Sequence, residues 1–230
     1  MSAERLKELA ARAAVANIAD GMRVGLGTGS TASHAVRALG ERVAAGLTIV
    51  GVPTSEATAA LARSLNVPLA ELDGVEGLDV TIDGADEVDL GSFAVIKGFG
   101  GALLREKLVA LATTRVIIIV DESKVAAAGL KKQVPVEVVP FGARHTGRAL
   151  ERLGAQPTLR QRDGAPFVTD GGNLIFDCDF GPLTDPAALA AALKAISGVV
   201  DHGLFIGIVE TVLVAGTSGV RTYRRMTNDE

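Results

Sequence analysis

Between Asp83 and Lys107 the chain reads D-G-A-D-E-V-D-L-G-S-F-A-V-I-K-G-F-G-G-A-L-L-R-E-K. Four acids come first, Asp83, Asp86, Glu87 and Asp89. A short apolar run leads to Lys97, and Gly98, Gly100 and Gly101 precede the triplet Arg105-Glu106-Lys107. A carboxylate can take a proton, an ammonium can steady an oxyanion, and glycine lets backbone N–H groups come close to a ligand. Singly, an acid cluster after a strand is ordinarily a solvated loop, and a glycine cluster is ordinarily a turn. Together they point to a site. Glu106, just inside a helix that starts after Gly101, suits α-proton abstraction beside a carbonyl, with Lys97 as the cation for the enediolate oxygen. The plain rival is a solvated helix glutamate.

A second motif, Gly25-Leu26-Gly27-Thr28-Gly29-Ser30-Thr31, follows a strand and opens a helix. N–H groups at a helix start favour an anion, and Ser30 and Thr31 add hydroxyl donors, so phosphate ranks first. A plain N-capped turn ranks second. A dinucleotide ranks last: Ser30 replaces the third fingerprint glycine, and the second strand ends Val52-Pro53 with Glu56 beyond it. The P-loop lysine is also missing. Asp83 and Asp86 could hold a metal or sugar hydroxyls. The loop lacks calcium-hand spacing, and His34, His145 and His202 are scattered, so sugar hydroxyls explain the acids more economically. Lys124, after Asp121-Glu122-Ser123, is a further phosphate candidate, or an ordinary surface lysine.

These residues need a scaffold that presents strand-end loops. At 230 residues, 48% hydrophobic and 22% charged, the chain can build a substantial core of Ala, Val, Leu and Ile. A net charge of −4 speaks against a general nucleic-acid binder, and Arg221, Arg224 and Arg225 read as a solvated tail. Cys178 is the only cysteine, so no intrachain disulfide forms and a reducing cytosol fits. It lies in the strand-like run 174–179 and reads as a small buried residue rather than a catalytic thiol. The N-terminus has no uninterrupted apolar h-region, and no run approaches the roughly 18 apolar residues of a membrane span, so a cytoplasmic protein is expected.

Periodicity predicts helices over 4–18, 32–45, 55–65 and 102–113, the last with Leu104, Leu108 and Leu111 inward. Strands are expected at 23–26, 47–52, 78–82, 93–96 and 116–120. This alternation predicts an α/β fold with a doubly wound, mostly parallel, Rossmann-like sheet, and places the glycine-rich and acidic loops on its carboxyl rim. From about residue 131 the order becomes β-α-β-β-α-β, which predicts a smaller α+β domain of split-βαβ, ferredoxin-like type. The expected division is residues 1–130 plus 206–230 for the Rossmann-like catalytic domain and 131–205 for the small domain, with 208–223 rejoining the first sheet.

Taken together, G-L-G-T-G-S-T at 25–31, D-G-A-D-E at 83–87, K-G-F-G-G-A-L-L-R-E-K at 97–107 and D-E-S-K at 121–124 resemble the type A ribose-5-phosphate isomerase family. The likeness extends to V-P-V-E-V-V-P at 134–140, T-D-G-G-N at 169–173 and G-V-V-D-H-G-L-F at 198–205. It implies interconversion of ribose 5-phosphate and ribulose 5-phosphate through a cis-enediolate, without metal or cofactor, in the non-oxidative pentose phosphate pathway. It makes Glu106 the proton acceptor. It gives the substrate Thr28, Gly29, Ser30 and Thr31, then Asp83, Gly84, Ala85 and Asp86, then Lys97, Gly98, Phe99 and Gly100, and Lys124. Lys7 on the first helix resembles a lysine that approaches the phosphate. A homodimer or a dimer of dimers is also implied. The family pattern K-G-G-G is broken by Phe99, where a side chain tolerates positive φ poorly; it is expected to cover the pocket or to pack under it.

Two other functions compete. A non-catalytic sugar-phosphate sensor would ordinarily stand behind a DNA-binding module, whereas here the first helix is expected to join the core. A nicotinamide-dependent oxidoreductase is disfavoured by the fingerprint defects at Ser30 and Pro53.

Overall fold

The computed structural model describes residues 1–225; residues 226–230, which the expected first domain includes, lie outside the described residues. In chain order the elements are α1 (Ala3–Val15), β1 (Arg23–Leu26), α2 (Ser30–Ala44), β2 (Val50–Pro53), α3 (Glu56–Ser64), β3 (Leu78–Gly84), β4 (Glu87–Val88), β5 (Val95–Ile96), α4 (Leu103–Leu111) and β6 (Thr113–Asp121). Then come β7 (Val134–Val138), α5 (Ala143–Arg152), β8 (Gln156–Leu159), β9 (Gln161–Arg162), β10 (Ala165–Pro166), β11 (Leu174–Asp179), α6 (Pro186–Lys194), β12 (Val199–His202), β13 (Leu204–Phe205), β14 (Thr211–Gly216) and β15 (Gly219–Arg224). The chain divides into two compact units, the first formed by Met1–Ala85, Arg105–Val125 and Ile208 onward, the second by Asp86–Leu104 and Ala126–Gly207. Among the described residues no helix is long and apolar enough to cross a membrane.

The first unit is built on a six-stranded sheet of order β15-β14-β6-β3-β1-β2. Its strands pair in parallel except β15, which runs antiparallel to β14. In β6 every residue from Val116 to Asp121 is buried. Such a β-branched run suits a central strand covered on both faces. On one face, Leu6, Ala10 and Ala14 of α1 and Ala35 and Leu39 of α2 pack on Val24, Ile82, Ile117 and Ile119. On the other, Val109 of α4 meets Val52 and Leu78. Helices on both faces give the doubly wound arrangement, and the 208–223 segment rejoins this sheet as two strands, β14 and β15.

The second unit holds an antiparallel sheet of order β12-β7-β11-β8. Val134, Val136 and Val138 of β7 form its core with Leu150 of α5, Phe176 and Cys178 of β11 and Leu193 of α6. Discounting the β9–β10 ribbon, the β-α-β-β-α-β order is present. One buried acid has a fixed structural role: Glu137 Oε1 accepts from Thr169 Oγ1 and Asn173 Nδ2, both at 2.9 Å. The T-D-G-G-N motif therefore closes over β7.

Four element expectations are corrected. The strand expected at 93–96 shortens to β5, because Phe93 takes φ 58 and turns the chain before it. That strand also lies outside the six-stranded sheet, pairing instead with β13 and β4. The last strand of the expected β-α-β-β-α-β order splits at Gly203 into β12 and β13, where a Cβ would stand 2.1 Å from the Lys97 carbonyl oxygen. Most informatively, α4 does not turn Leu108 and Leu111 inward; they are 48% and 65% exposed. Its buried side is Leu103, Glu106, Lys107 and Ala110.

Candidate active site

In the first unit the loops after β1, β3 and β6 lie on the carboxyl rim of parallel strands. The β1 loop is shaped by two glycines with different duties. A Cβ on Gly27 would stand 2.1 Å from Asp83 Oδ1, so only glycine lets β1 and β3 close up there. Gly29 takes φ 107 as the N-cap of α2, a conformation that side chains disfavour. Gly29 and Ser30 are exposed, while Thr28 and Thr31 are half-buried. The first N–H groups of α2 lack intrahelical acceptors, as at any helix start, an arrangement that favours an anion.

Asp83, at the end of β3, is 2% exposed. Its Oδ1 accepts from Thr28 N at 3.1 Å and from Gly84 N at 2.7 Å, so it ties the β1 loop to its own turn. Gly84 faces Thr31: a Cβ built on the glycine would lie 3.7 Å from the threonine Cβ. Ala85 follows, half-buried. After β6, Asp121 caps a 3-10 turn of Glu122–Lys124 by accepting from Ser123 N at 2.9 Å, and this turn carries Lys124 on the rim. Lys7 Nζ donates to Glu4 Oε1 at 2.6 Å, and Glu4 Oε2 bonds His34 Nε2 at 3.0 Å. This links Lys7 to α2 one turn beyond Ser30. The Lys7 hydrogen bond, then that from His34, holds the Glu4 carboxyl below the usual carboxylate range.

Glu106 lies in the first turn of α4 and is 3% exposed, a burial that a solvated helix glutamate would not show. Its neighbour Arg105 points outward, and Nη1 donates to Glu56 Oε1 at 2.8 Å. This hydrogen bond holds the Glu56 carboxyl low. The acid beyond β2 is thus engaged by an arginine.

In the second unit Asp86 Oδ2 accepts from Phe99 N at 3.1 Å, closing the acid loop onto the lysine–glycine loop. Lys97 is 3% exposed, with Nζ 5.6 Å from the centroid of the Phe205 ring and its backbone N–H donated to Gly203 O at 2.8 Å. Positive φ falls on Gly98 (105) and Gly101 (84), both glycines, and not on Phe99. The break in the K-G-G-G pattern is therefore free of the expected strain. Phe99 is 43% exposed and packs under the guanidinium of Arg160, 5.6 Å from its ring centroid. Gly100, also exposed, completes the loop.

One supporting residue, Arg160, escapes a reading of the sequence, and a second, Glu87, has a duty the sequence does not show. Arg160 Nη1 donates to the carbonyls of Gly98 at 2.8 Å and Phe99 at 3.3 Å, while Nε reaches Asp177 at 2.9 Å. Nothing in the sequence marks it, because its partners lie 62 and 17 positions away. Glu87, inside D-G-A-D-E, is buried and accepts from Lys131 N and Lys132 N at 2.7 and 2.8 Å, so it anchors a chain segment. Among the described residues no three His, Cys, Asp or Glu side chains come together as metal ligands.

The family model described as ribose 5-phosphate isomerase A (phosphoriboisomerase A) matches residues 50–219. The chain is 53% identical over 227 residues to ribose-5-phosphate isomerase A of Thermomicrobium roseum, covering 98% of this chain and 96% of that protein. It is 56% identical to the Chloroflexus aurantiacus protein of the same name, over 96% and 93% of the two chains. Among solved structures, ribose 5-phosphate isomerase A of Methanocaldococcus jannaschii matches with a TM-score of 0.93 at 40% identity, over 97% of this chain and all of that one (100%). A D-ribose-5-phosphate isomerase in complex with phospho-erythronic acid matches with a TM-score of 0.94 at 38% identity, over 98% and 100% of the chains. The chain belongs to the ribose 5-phosphate isomerase A family.

Proposed function

We propose that Glu106 is the base with which this family member interconverts ribose 5-phosphate and ribulose 5-phosphate. The carrying observation is its burial: a carboxylate 3% exposed in the first turn of α4 is held out of water in a chain whose loops otherwise offer hydroxyls and N–H groups. In the open-chain aldose the carboxylate removes the proton on C2. The electrons form the C1–C2 double bond of a cis-enediolate, and the carbonyl oxygen O1 takes the negative charge. Transfer of the O2 proton to O1 and return of the carboxyl proton to C1 give the ketose; the reverse sequence regenerates the aldose. Lys97, Asp83, Asp86 and the backbone of Gly98, Phe99 and Gly100 are assigned to the enediolate oxygens and the sugar hydroxyls. The Thr28–Thr31 loop, with Gly84 and Ala85 nearby, and Lys124 and Lys7 are assigned to the phosphate and its approach. An aldonic acid phosphate, the ligand of the solved relative, supports this reading: its planar carboxylate carries two oxygens as the enediolate does.

Glu106→Gln is expected to lower kcat about 10²–10⁴-fold while KM for ribose 5-phosphate stays close to that of the unaltered enzyme. An unaltered kcat would remove Glu106 from this role. In D2O the unaltered enzyme should place deuterium on the exchanged carbon and the variant should not. We also propose that the protein works in the cytoplasm as a homodimer; its single cysteine and the family likeness support this.

A further inference from the structure

The β1 loop was assigned to the phosphate as a unit, yet Thr28 turns both of its donors into the protein. Its N–H goes to Asp83 Oδ1 at 3.1 Å. Its hydroxyl donates to Ser55 Oγ at 2.8 Å and lies 2.7 Å from Thr54 Oγ1 and 3.2 Å from Thr58 Oγ1. The other three hydroxyls are also committed. Ser55 donates to Thr58 Oγ1 at 3.1 Å, Thr58 to the Gly27 carbonyl at 3.0 Å, and Thr54 to the Leu26 carbonyl at 3.0 Å. A proton chain thus runs from Thr28 through Ser55 and Thr58 and ends on the backbone of the same loop. A hydroxyl has a single proton to give. Thr54, Ser55 and Thr58 are 0%, 5% and 6% exposed, so a lost member leaves a buried partner unsatisfied.

We infer that Thr28 is a positioning residue rather than a phosphate ligand, and that Thr54, Ser55 and Thr58 are the socket that holds it. The donors left for the phosphate are the N–H groups of the turn into α2 and the hydroxyls of Ser30 and Thr31. This rests on the reading that the loop holds phosphate.

The test measures KM for ribose 5-phosphate and the inhibition constant of inorganic phosphate for Thr28→Val, Thr58→Val and the double variant, with Thr58→Ser and the pair Ser30→Ala/Thr31→Ala alongside. Thr28→Val and Thr58→Val should each raise both constants about tenfold, the effect expected for one buried hydrogen bond. Because both act through one network, the double variant should be no worse than either alone. Thr58→Ser, which keeps the hydroxyl, should lie within about twofold of the unaltered enzyme. Additive losses, about a hundredfold in the double variant, would make Thr28 a direct ligand and overturn the inference. So would a Thr58→Val protein with unaltered constants. Should thermal melting show Thr58→Val unfolded, Ser55→Ala replaces it under the same expectations. If Ser30→Ala/Thr31→Ala leaves both constants unchanged, the phosphate-loop reading falls and this inference with it. If that pair raises them while Thr58→Val does not, the inference alone falls.

Discussion

Cys178 is the single thiol of the chain, and burial, with the Asp177 carboxylate adding to it, pushes its pKa up to about 12 from an ordinary 9.0. The thiolate is the reactive form, so the native protein should resist a thiol reagent at neutral pH and release one equivalent only when unfolded. Rapid modification of the native protein would contradict the burial. The pH consequence has a definite sign. A raised thiol pKa means the folded state binds the proton longer than the unfolded chain does. Its contribution is intact below about 9 and is lost as pH rises toward about 12. At this scale the sequence was a good guide where a residue type forces its surroundings: a lone cysteine in an apolar run had to be buried. It was a poor guide where the partner is remote. The tie from Arg160 to the Gly98 carbonyl, and the absence of strain at Phe99, depend on backbone torsions and a contact 62 positions apart.

Elements were legible when one physical rule governed them. The helix expected from residue 55 starts with Ser55 accepting from Thr58 N at 3.1 Å. By the same rule α6 starts with Asp185 capping and Pro186 in the first turn. In α4 two rules competed, and the hydrophobic one lost. Leucine spacing predicted Leu108 and Leu111 inside, but the helix is rolled so that Glu106 and Lys107 are buried and both leucines face out. A period drawn from apolar residues cannot foresee a helix that buries its charges. Gly27, just after β1, shows the same point at closer range. Gly27→Ala would thrust a methyl at 2.1 Å from Asp83 Oδ1, displacing the acid that holds Thr28. Overpacking of this kind costs about 1–3 kcal/mol, so the melting temperature should fall and KM should rise together. A fall in melting temperature with an unaltered KM would show that Asp83 does not set the loop.

For the whole protein, the family likeness predicts isomerase activity in chelator-containing buffer with nothing added, and light scattering at twice the chain mass. Loss of turnover with chelator would overturn the metal-free reading, and a particle of single-chain mass would overturn the homodimer. The alternation of strands and helices made the first sheet legible, and the change of pattern near residue 131 made the antiparallel sheet legible. The small β13-β5-β4 sheet was not, because two-residue strands carry no periodicity. The polypeptide passes from one unit to the other four times, after Ala85, Leu104, Val125 and Gly207. Neither half corresponds to an unbroken piece of the gene. Excising 126–207 would strand β5 without β13, and truncation at either end would only damage the first unit, so no single deletion separates the two units.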